Sequence, residues 1–259
     1  MTSDWNAERY HEVSTPQQAW GRRILDRLAL NGDERALDLG CGTGRLTALL
    51  AERLPRGRVI GIDRSASMLE TAASWLREHS PRVALALADG AALPFAGAFD
   101  IVFSAATFHW IHDHSALFRS VFVALQPGGR LVAQCGGGPN LALLHVRAER
   151  LMRDARYSAQ FEDWSEPWYF ATVDSTRRQL EAAGFTEIAV DLEEAPTPIG
   201  GPKEFADFIT TVCVRHHINR LPSAERGEFV GHLTAEADAD DPPFTLDYWR
   251  LNISARRPA

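Results

Sequence analysis

Residues 36–47 read ALDLGCGTGRLT. An apolar run ends in glycines at 40, 42 and 44, and RLTALLAERL (45–54) then carries a helical pattern. A strand that turns on glycines into a helix is how an open parallel sheet offers backbone to a ligand at its carboxyl edge. The same rhythm recurs downstream. RVIGID (58–63) reads as a second strand, ASMLETAASWLREH (66–79) as a helix, and RVALALA (82–88) as a third strand. FDIVFSAA (99–106) is a fourth, a helix follows near 114–125, and Pro127-Gly128-Gly129 turns the chain into RLVAQCG (130–136), a fifth. Strands alternating with helices predict a parallel sheet covered on both faces, doubly wound if its crossovers are right-handed.

Outside this stretch the pattern is less regular. Thr15-Pro16-Gln17-Gln18 reads as a helix start, with Trp20, Ile24, Leu25 and Leu28 on one face. Residues 138–172 read as helical but irregular, and FEDWSEPWYF (161–170) crowds aromatics together. STRRQLEAAGF (175–185) reads as a helix capped by Ser175 and stopped by Gly184. TEIAVDLEE (186–194) alternates like a strand, 203–217 and 222–237 read as helices, and TLDYWRLNISARR (245–257) as a final strand. The expectation is a single α/β domain over 1–259: N-terminal cap helices (1–30), a ligand-binding core (31–137), a helical insertion (138–172), and a C-terminal part of the sheet with its own helical insertion (173–259).

The totals exclude several classes. The chain has 259 residues, enough to bury a large core, and a formal net charge of −7 with no Lys/Arg-rich stripe. A nucleic-acid backbone is therefore not the expected partner. Cys41, Cys135 and Cys213 form no CxxC pair, which argues against a zinc knuckle or disulfide framework and fits a reducing, cytoplasmic setting. No secretory leader is evident, and no apolar run approaches the roughly 20 residues of a membrane span. Nothing in the sequence defines an oligomeric state.

The ligand of the glycine loop can be narrowed. Its spacing is GxGxG, and where the dinucleotide fingerprint wants a third small residue there is Arg45. No GK[ST] follows, so it is not a Walker A loop. Asp38 stands just before the glycines, unsuited to a pyrophosphate but tolerable beside a cationic ligand. S-adenosylmethionine (SAM) carries a sulfonium and an amino group and no phosphate. Asp63, at the second strand's end, is placed to accept both ribose hydroxyls; Met68 is placed to pack on a base, and Asp89-Gly90 to meet an adenine amino group.

FHWIHDH (108–114) follows the fourth strand at the same edge. A metal site needs converging ligands, and these histidines are expected to diverge, so no metal is expected. Asp113 reads as the next helix's N-cap, and His112 and His114 as partly exposed turn residues. His109 is the candidate catalytic or acceptor-touching residue, with Trp110 as an apolar wall. Arg215-His216-His217 reads as basic charge near a helix C-terminus, with an acid clamp as the sharper alternative. Cys41 reads as a small packing residue inside the loop, not a nucleophile.

Taken together, ALDLGCGTGRLT (36–47), VIGIDRSASML (59–69), ALADGAALPF (86–95), FDIVFSAATFHWIHD (99–113) and ALQPGGRLV (124–132) resemble, in order, the successive motifs of class I SAM-dependent methyltransferases. The opening WNAERYHEVSTPQQAWGRRIL (5–25) with FHW (108–110) is similar to the trans-aconitate methyltransferase group within that family. The resemblance implies a Rossmann-like, seven-stranded sheet whose last strand runs antiparallel. It implies SAM at Asp38, Gly40, Cys41, Gly42, Gly44, Asp63, Arg64, Met68, Asp89, Gly90, Ser104 and Ala105, with S-adenosylhomocysteine (SAH) as product. It also implies a small-molecule acceptor, with Trp5, Tyr10 and His11 of a covering N-terminal segment near it, beside the His109 and Trp110 read above from their place at the sheet edge. Trp164, in the aromatic run, is the choice for a pocket cover.

A sulfonium is already an activated leaving group, so the enzyme needs mainly to align the acceptor and exclude water. A carboxylate acceptor is ionised at neutral pH and needs no base; a hydroxyl or carbon acid needs one. The leading expectation is methyl-ester formation on a small organic acid. Methylation of O, N or C in another metabolite and SAM binding without catalysis are the alternatives.

Overall fold

The computed structural model describes residues 15–259, so Trp5, Tyr10 and His11 lie outside the described residues. Two compact units are present, one built on the sheet and one from Pro139–Pro167 with Glu194–Trp249.

The sheet unit opens with α1 (Thr15–Arg27), whose Trp20, Ile24 and Leu25 are buried. Strands and helices then alternate as the sequence predicts: β1 (Arg35–Leu39), α2 (Arg45–Arg53), β2 (Arg58–Asp63), α3 (Ala66–Trp75), β3 (Val83–Leu87), β4 (Phe99–Ala105), α4 (His114–Ala124) and β5 (Leu125–Gly136). α6 (Val173–Ala183), β6 (Thr186–Glu194) and β9 (Trp249–Arg256) complete it. The seven strands lie in the order β3-β2-β1-β4-β5-β9-β6. The first five pair in parallel, and β9 runs antiparallel to β5 from Arg130↔Arg256 to Gly136↔Arg250. The chain thus builds outward from β1 in one direction, then restarts at β4 in the other. The crevice between the carboxyl ends of β1 and β4 is the switch point where such sheets bind ligands.

Central strands are buried on both faces, which is why they read as continuous apolar runs. Leu37, Leu39 and Val102 face a core with Phe108, Phe118, Leu180 and Leu251, while Ala36, Ile101 and Phe103 face another with Leu25, Leu50 and Leu54. Burial of each such large side chain contributes about 1.5–3 kcal/mol.

The second unit holds α5 (Ala142–Met152), a short β7–β8 pair (Thr197–Pro198 with Thr245–Leu246), α7 (Pro202–Phe208), a π-turn (Ile209–Cys213), α8 (Arg215–Arg220) and α9 (Ser223–Asp238). Tyr157, Phe161, Phe205 and Phe229 are buried in it.

Several expectations are corrected. The helix expected over 203–217 breaks at the π-turn, so Arg215-His216-His217 begin α8 rather than end a helix. His217 still lies in the last turn of this short helix, but it is buried against Trp164, with ring centroids 4.5 Å apart, and burial lowers its pKa to about 3, so it brings no positive charge to that C-terminus. The final strand is two strands, because Leu246 pairs with Thr197 while Trp249 onward belongs to the large sheet. β5 starts before the Pro-Gly-Gly turn, since Leu125 already pairs with Phe99. The cap of α6 is Thr172: its side chain accepts from the Ser175 backbone N–H while Ser175 reciprocates, a capping box. Helix α3 ends at Trp75, and Arg77–His79 form a separate 3₁₀ turn.

Candidate active site

The three loop glycines do three different jobs. Gly40 (φ +76) passes so close to Thr107 that a Cβ would lie 2.6 Å from the Thr107 Cβ. Gly44 (φ +83) packs against Leu76 and Ala72 of the neighbouring helix. Gly42 (φ +53) has nothing within 4 Å of where its Cβ would stand, so the loop's middle faces open space. Backbone N–H groups of Gly40 and Cys41 both donate to the Ile62 carbonyl, at 2.8 and 2.9 Å, which ties the loop to β2.

Asp63 braces this turn. One carboxylate oxygen accepts from the Gly42 N–H at 3.0 Å and the other from the Ser65 N–H at 2.9 Å. Ser65 caps α3 by accepting from the Met68 N–H, which seats Met68 at the cleft. Exposed Asp89 caps the short turn Gly90–Ala92 through the Ala91 N–H at 2.9 Å. On the facing strand, Ala106 is held at φ +59, a left-handed conformation that costs an L-residue about 1–2 kcal/mol. The Thr107 hydroxyl donates to the Gly40 carbonyl at 3.2 Å, joining β1 to β4 across the switch point.

The resulting cleft is lined by Leu39, Gly40, Gly42, Ile62, Asp63, Arg64, Met68, Ala88, Asp89, Gly90, Ala105, Ala106, Thr107, Trp110 and Ile111. Four of the sequence candidates sit behind this lining. Asp38 is 2% exposed and accepts from the Thr47 hydroxyl at 2.7 Å. Burial, reinforced by the nearby Asp63 charge, pushes its pKa up to about 7 against the Thr47 bond. Ser104 donates to the Leu39 carbonyl at 2.7 Å and is fully buried. Cys41 packs beneath Gly61, and burial pushes its thiol pKa upward, away from nucleophilic use. Gly44 serves helix packing. Ala106, Thr107 and Ile111 also line the cleft, and all three fall within the motif-like stretch 99–113, Ala106 and Thr107 within the 104–107 segment that the resemblance implies.

FHWIHDH separates as its backbone demands. Phe108–Trp110 form a 3₁₀ turn, and Asp113 caps α4 by accepting from the Ala116 N–H at 2.8 Å. His112 is exposed, but His114 is not the partly exposed residue expected: it is 1% exposed, with Nε2 3.0 Å from the Phe108 carbonyl. No group of three or more His, Cys, Asp or Glu side chains able to hold a metal occurs among the described residues.

His109 is half-buried beside Trp110 and Phe170, with ring centroids 5.0 and 5.9 Å away. Its Nδ1 accepts from the Gly136 N–H at 3.3 Å, which leaves the neutral ring's proton on Nε2. Burial, then the Arg250 charge and then His114, push its pKa down to about 3. His109 is thus a hydrogen-bond donor at neutral pH. The aromatic run divides between the units: Trp168 meets Trp110 edge-on at 6.3 Å, whereas Trp164 stacks within the second unit on His217 and under Arg220.

The cleft suits a ligand with cationic groups and no phosphate: two carboxylates, Asp63 and Asp89, face one Arg64, and the room above Gly42 admits close approach to backbone. A doubly wound sheet of this order with an antiparallel strand beside β5 and such a glycine turn is the architecture of class I SAM-dependent methyltransferases. Residues 36–129 match the family described as "Methyltransferase domain". The chain is 31% identical to the trans-aconitate 2-methyltransferase of Methylobacterium radiotolerans, across 98% of this chain and 99% of that one. It is 35% identical to that of Delftia acidovorans, across 98% of each. Among solved structures it is similar to phosphoethanolamine N-methyltransferase 2 of Haemonchus contortus in complex with SAM, with a TM-score of 0.63 and 18% identity over 98% of this chain and 57% of that one. The chain belongs to the SAM-dependent methyltransferase family and over its full length is similar to trans-aconitate 2-methyltransferases. It is an enzyme that uses SAM as methyl donor and releases SAH.

Proposed function

We propose that the enzyme methylates a carboxylate oxygen of a small organic acid, giving a methyl ester. The observation that carries this reading is His109, a neutral side chain with its Nδ1 engaged and its proton on Nε2. Such a group donates to an acceptor oxygen but is a poor base, and a carboxylate acceptor needs none. The names of the full-length relatives support the same acceptor class.

Bound SAM would supply a methyl group on a sulfonium. Gly42, Asp63, Met68, Asp89 and the Ala105–Thr107 backbone would hold it, with Asp63 toward the ribose and Asp89 toward the base. Asp38, behind the loop, would contribute negative charge through the turn. As the acceptor's C–O bond forms, the methyl's C–S bond breaks and its electron pair stays on sulfur. No proton changes hands. The residues' task is alignment and exclusion of water, and Trp110 with Trp168 forms an apolar wall for this. We read the chain as one methyltransferase domain whose helical insertions serve acceptor choice. Three buried free thiols, and no helix among the described residues long and apolar enough to cross a membrane, accord with a cytoplasmic location.

The test is purified protein with labelled SAM and a panel of mono-, di- and tricarboxylates, phenols and amines. Base-labile methyl esters from an acid are expected. Transfer to a phenol or amine while every acid is refused would overturn the proposal.

A further inference from the structure

Thr47 closes the stretch 36–47 but does not line the cleft. It is fully buried on the first turn of α2, and its hydroxyl donates to the Asp38 carboxylate at 2.7 Å. Among the described residues this is the only hydrogen bond that the Asp38 side chain receives. Helix α2 has no acidic residue in its first turn and no side-chain cap at Gly44. Asp38, reached through Thr47, therefore supplies the negative charge at that positive helix end.

The rest of the surroundings oppose that charge. Burial first, then the Asp63 charge at the end of β2, raise the Asp38 pKa; the Thr47 hydroxyl, a donor to the charged form, pulls it down, and the balance stands at about 7. The register partners of Asp38, Gly61 of β2 and Phe103 of β4, are uncharged. Burial keeps the Cys41 thiol of the loop neutral, and Arg45 of α2 lines a groove between α1, α2 and α3. Directly after Asp38 come Leu39 and Gly40, which line the cleft, as does Asp63. In a low-dielectric interior a buried charge acts across such a thin layer of backbone. It acts more on SAM, whose sulfonium is cationic, than on SAH, whose sulfur is neutral.

We propose that Thr47 is a positioning residue for cofactor use: by holding the Asp38 carboxylate charged and fixed beneath the glycine loop, it sets the preference of the enzyme for the methyl donor SAM over the spent cofactor SAH. This depends on SAM as the ligand and not on which acceptor is methylated.

The experiment measures Kd for SAM and for SAH by titration calorimetry, without acceptor, from about pH 5.5 to 9 in wild type, Thr47→Val, Thr47→Ser and Asp38→Asn. Losing a hydrogen bond to the charged form should move the Asp38 pKa upward by about one to two pH units. Wild type ionises Asp38 as pH rises through about 7, and Thr47→Val only well above that. The ratio of the SAM Kd to the SAH Kd in Thr47→Val, divided by the same ratio in wild type, should therefore peak near pH 8 at about five- to tenfold. It should shrink toward pH 5.5, where Asp38 is neutral in both proteins. Dividing by wild type cancels the titrations of the ligands themselves. Thr47→Ser keeps the donor and should restore most of the wild-type profile. Asp38→Asn should show the reduced preference at neutral and alkaline pH, and adding Thr47→Val to it should change the ratio no further. A merely structural role weakens both ligands alike at every pH; that outcome, an unchanged ratio in Thr47→Val, or a serine variant as impaired as the valine one would overturn the proposal. If Thr47→Val does not fold, Thr47→Ala decides by the same ratio.

Discussion

Gly40 and Gly42 look equivalent in a GxGxG motif, and the structure separates them. Both have positive φ, so an alanine at either position carries about 1–2 kcal/mol of backbone strain. At Gly42 that is the whole stability cost, because the new methyl group enters open space. At Gly40 it would meet Thr107 Oγ1 at 2.1 Å, Cγ2 at 2.2 Å and Cβ at 2.6 Å. Rotating Thr107 relieves the first two contacts but not the third, so β1 and β4 must part. Overpacking of that kind costs about 1–3 kcal/mol more. Losing the Thr107–Gly40 hydrogen bond adds about 0.5–1.5 kcal/mol. Gly40→Ala should therefore be about 2.5–6.5 kcal/mol less stable than wild type, and Gly42→Ala about 1–2. Scanning calorimetry without SAH should show their melting temperatures apart by about 5–10 °C. The ligand ranking should invert: Gly42→Ala, still folded, should bind SAH at least about tenfold more weakly, because its methyl fills the space above the loop. Gly40→Ala with Thr107→Gly should recover the steric part and keep the strain. Equal destabilisation of the two variants, or wild-type SAH affinity in Gly42→Ala, would refute this division of labour.

Three further outcomes can be measured directly. The Asp38 carboxyl, with its folded pKa raised to about 7 by burial, contributes stability present at low pH and lost as pH rises toward and through 7. Asp38→Asn should therefore gain ligand-free stability relative to wild type between pH 5.5 and 8 in urea titrations, while binding SAH more weakly. His217 and His145, held near 3 and 4 by burial, stabilise the fold fully above pH 6.5 and progressively less as pH falls through the range down to those values. His217→Phe keeps the aromatic stack on Trp164 and should lose less stability than wild type between pH 7 and 5. Turnover under saturating SAM should show no histidine-type inflection between pH 6 and 8. His109→Ala should cost about 10- to 100-fold in kcat/KM, and His109→Gln, which restores an N–H, should recover part of it.

The strand–glycine–helix rhythm of 35–137 was legible from local chemistry alone. Apolar runs buried on both faces, glycines forced to positive φ and Asp113 as a cap each follow from a few neighbouring residues. Asp63, Met68 and Asp89 were legible for the same reason, since strand ends in such a sheet share one edge. Which glycine packs and which faces the open cleft was not, because that depends on Thr107, Leu76 and Ala72, far along the chain. Burial of His114, assignment of Trp164 to the second unit, and withdrawal of Asp38 and Ser104 behind the lining likewise depend on what the fold brings against them. Arg250 is the extreme case. In sequence it is one arginine in an alternating strand, and only the antiparallel register that sets it opposite Gly136, with α1 laying Trp20 over it, places a buried cation beside His109. Short-range periodicity records which face of an element is apolar. It holds no record of which distant element will cover that face, and the surroundings of His109 and Trp110 are made almost entirely of such meetings.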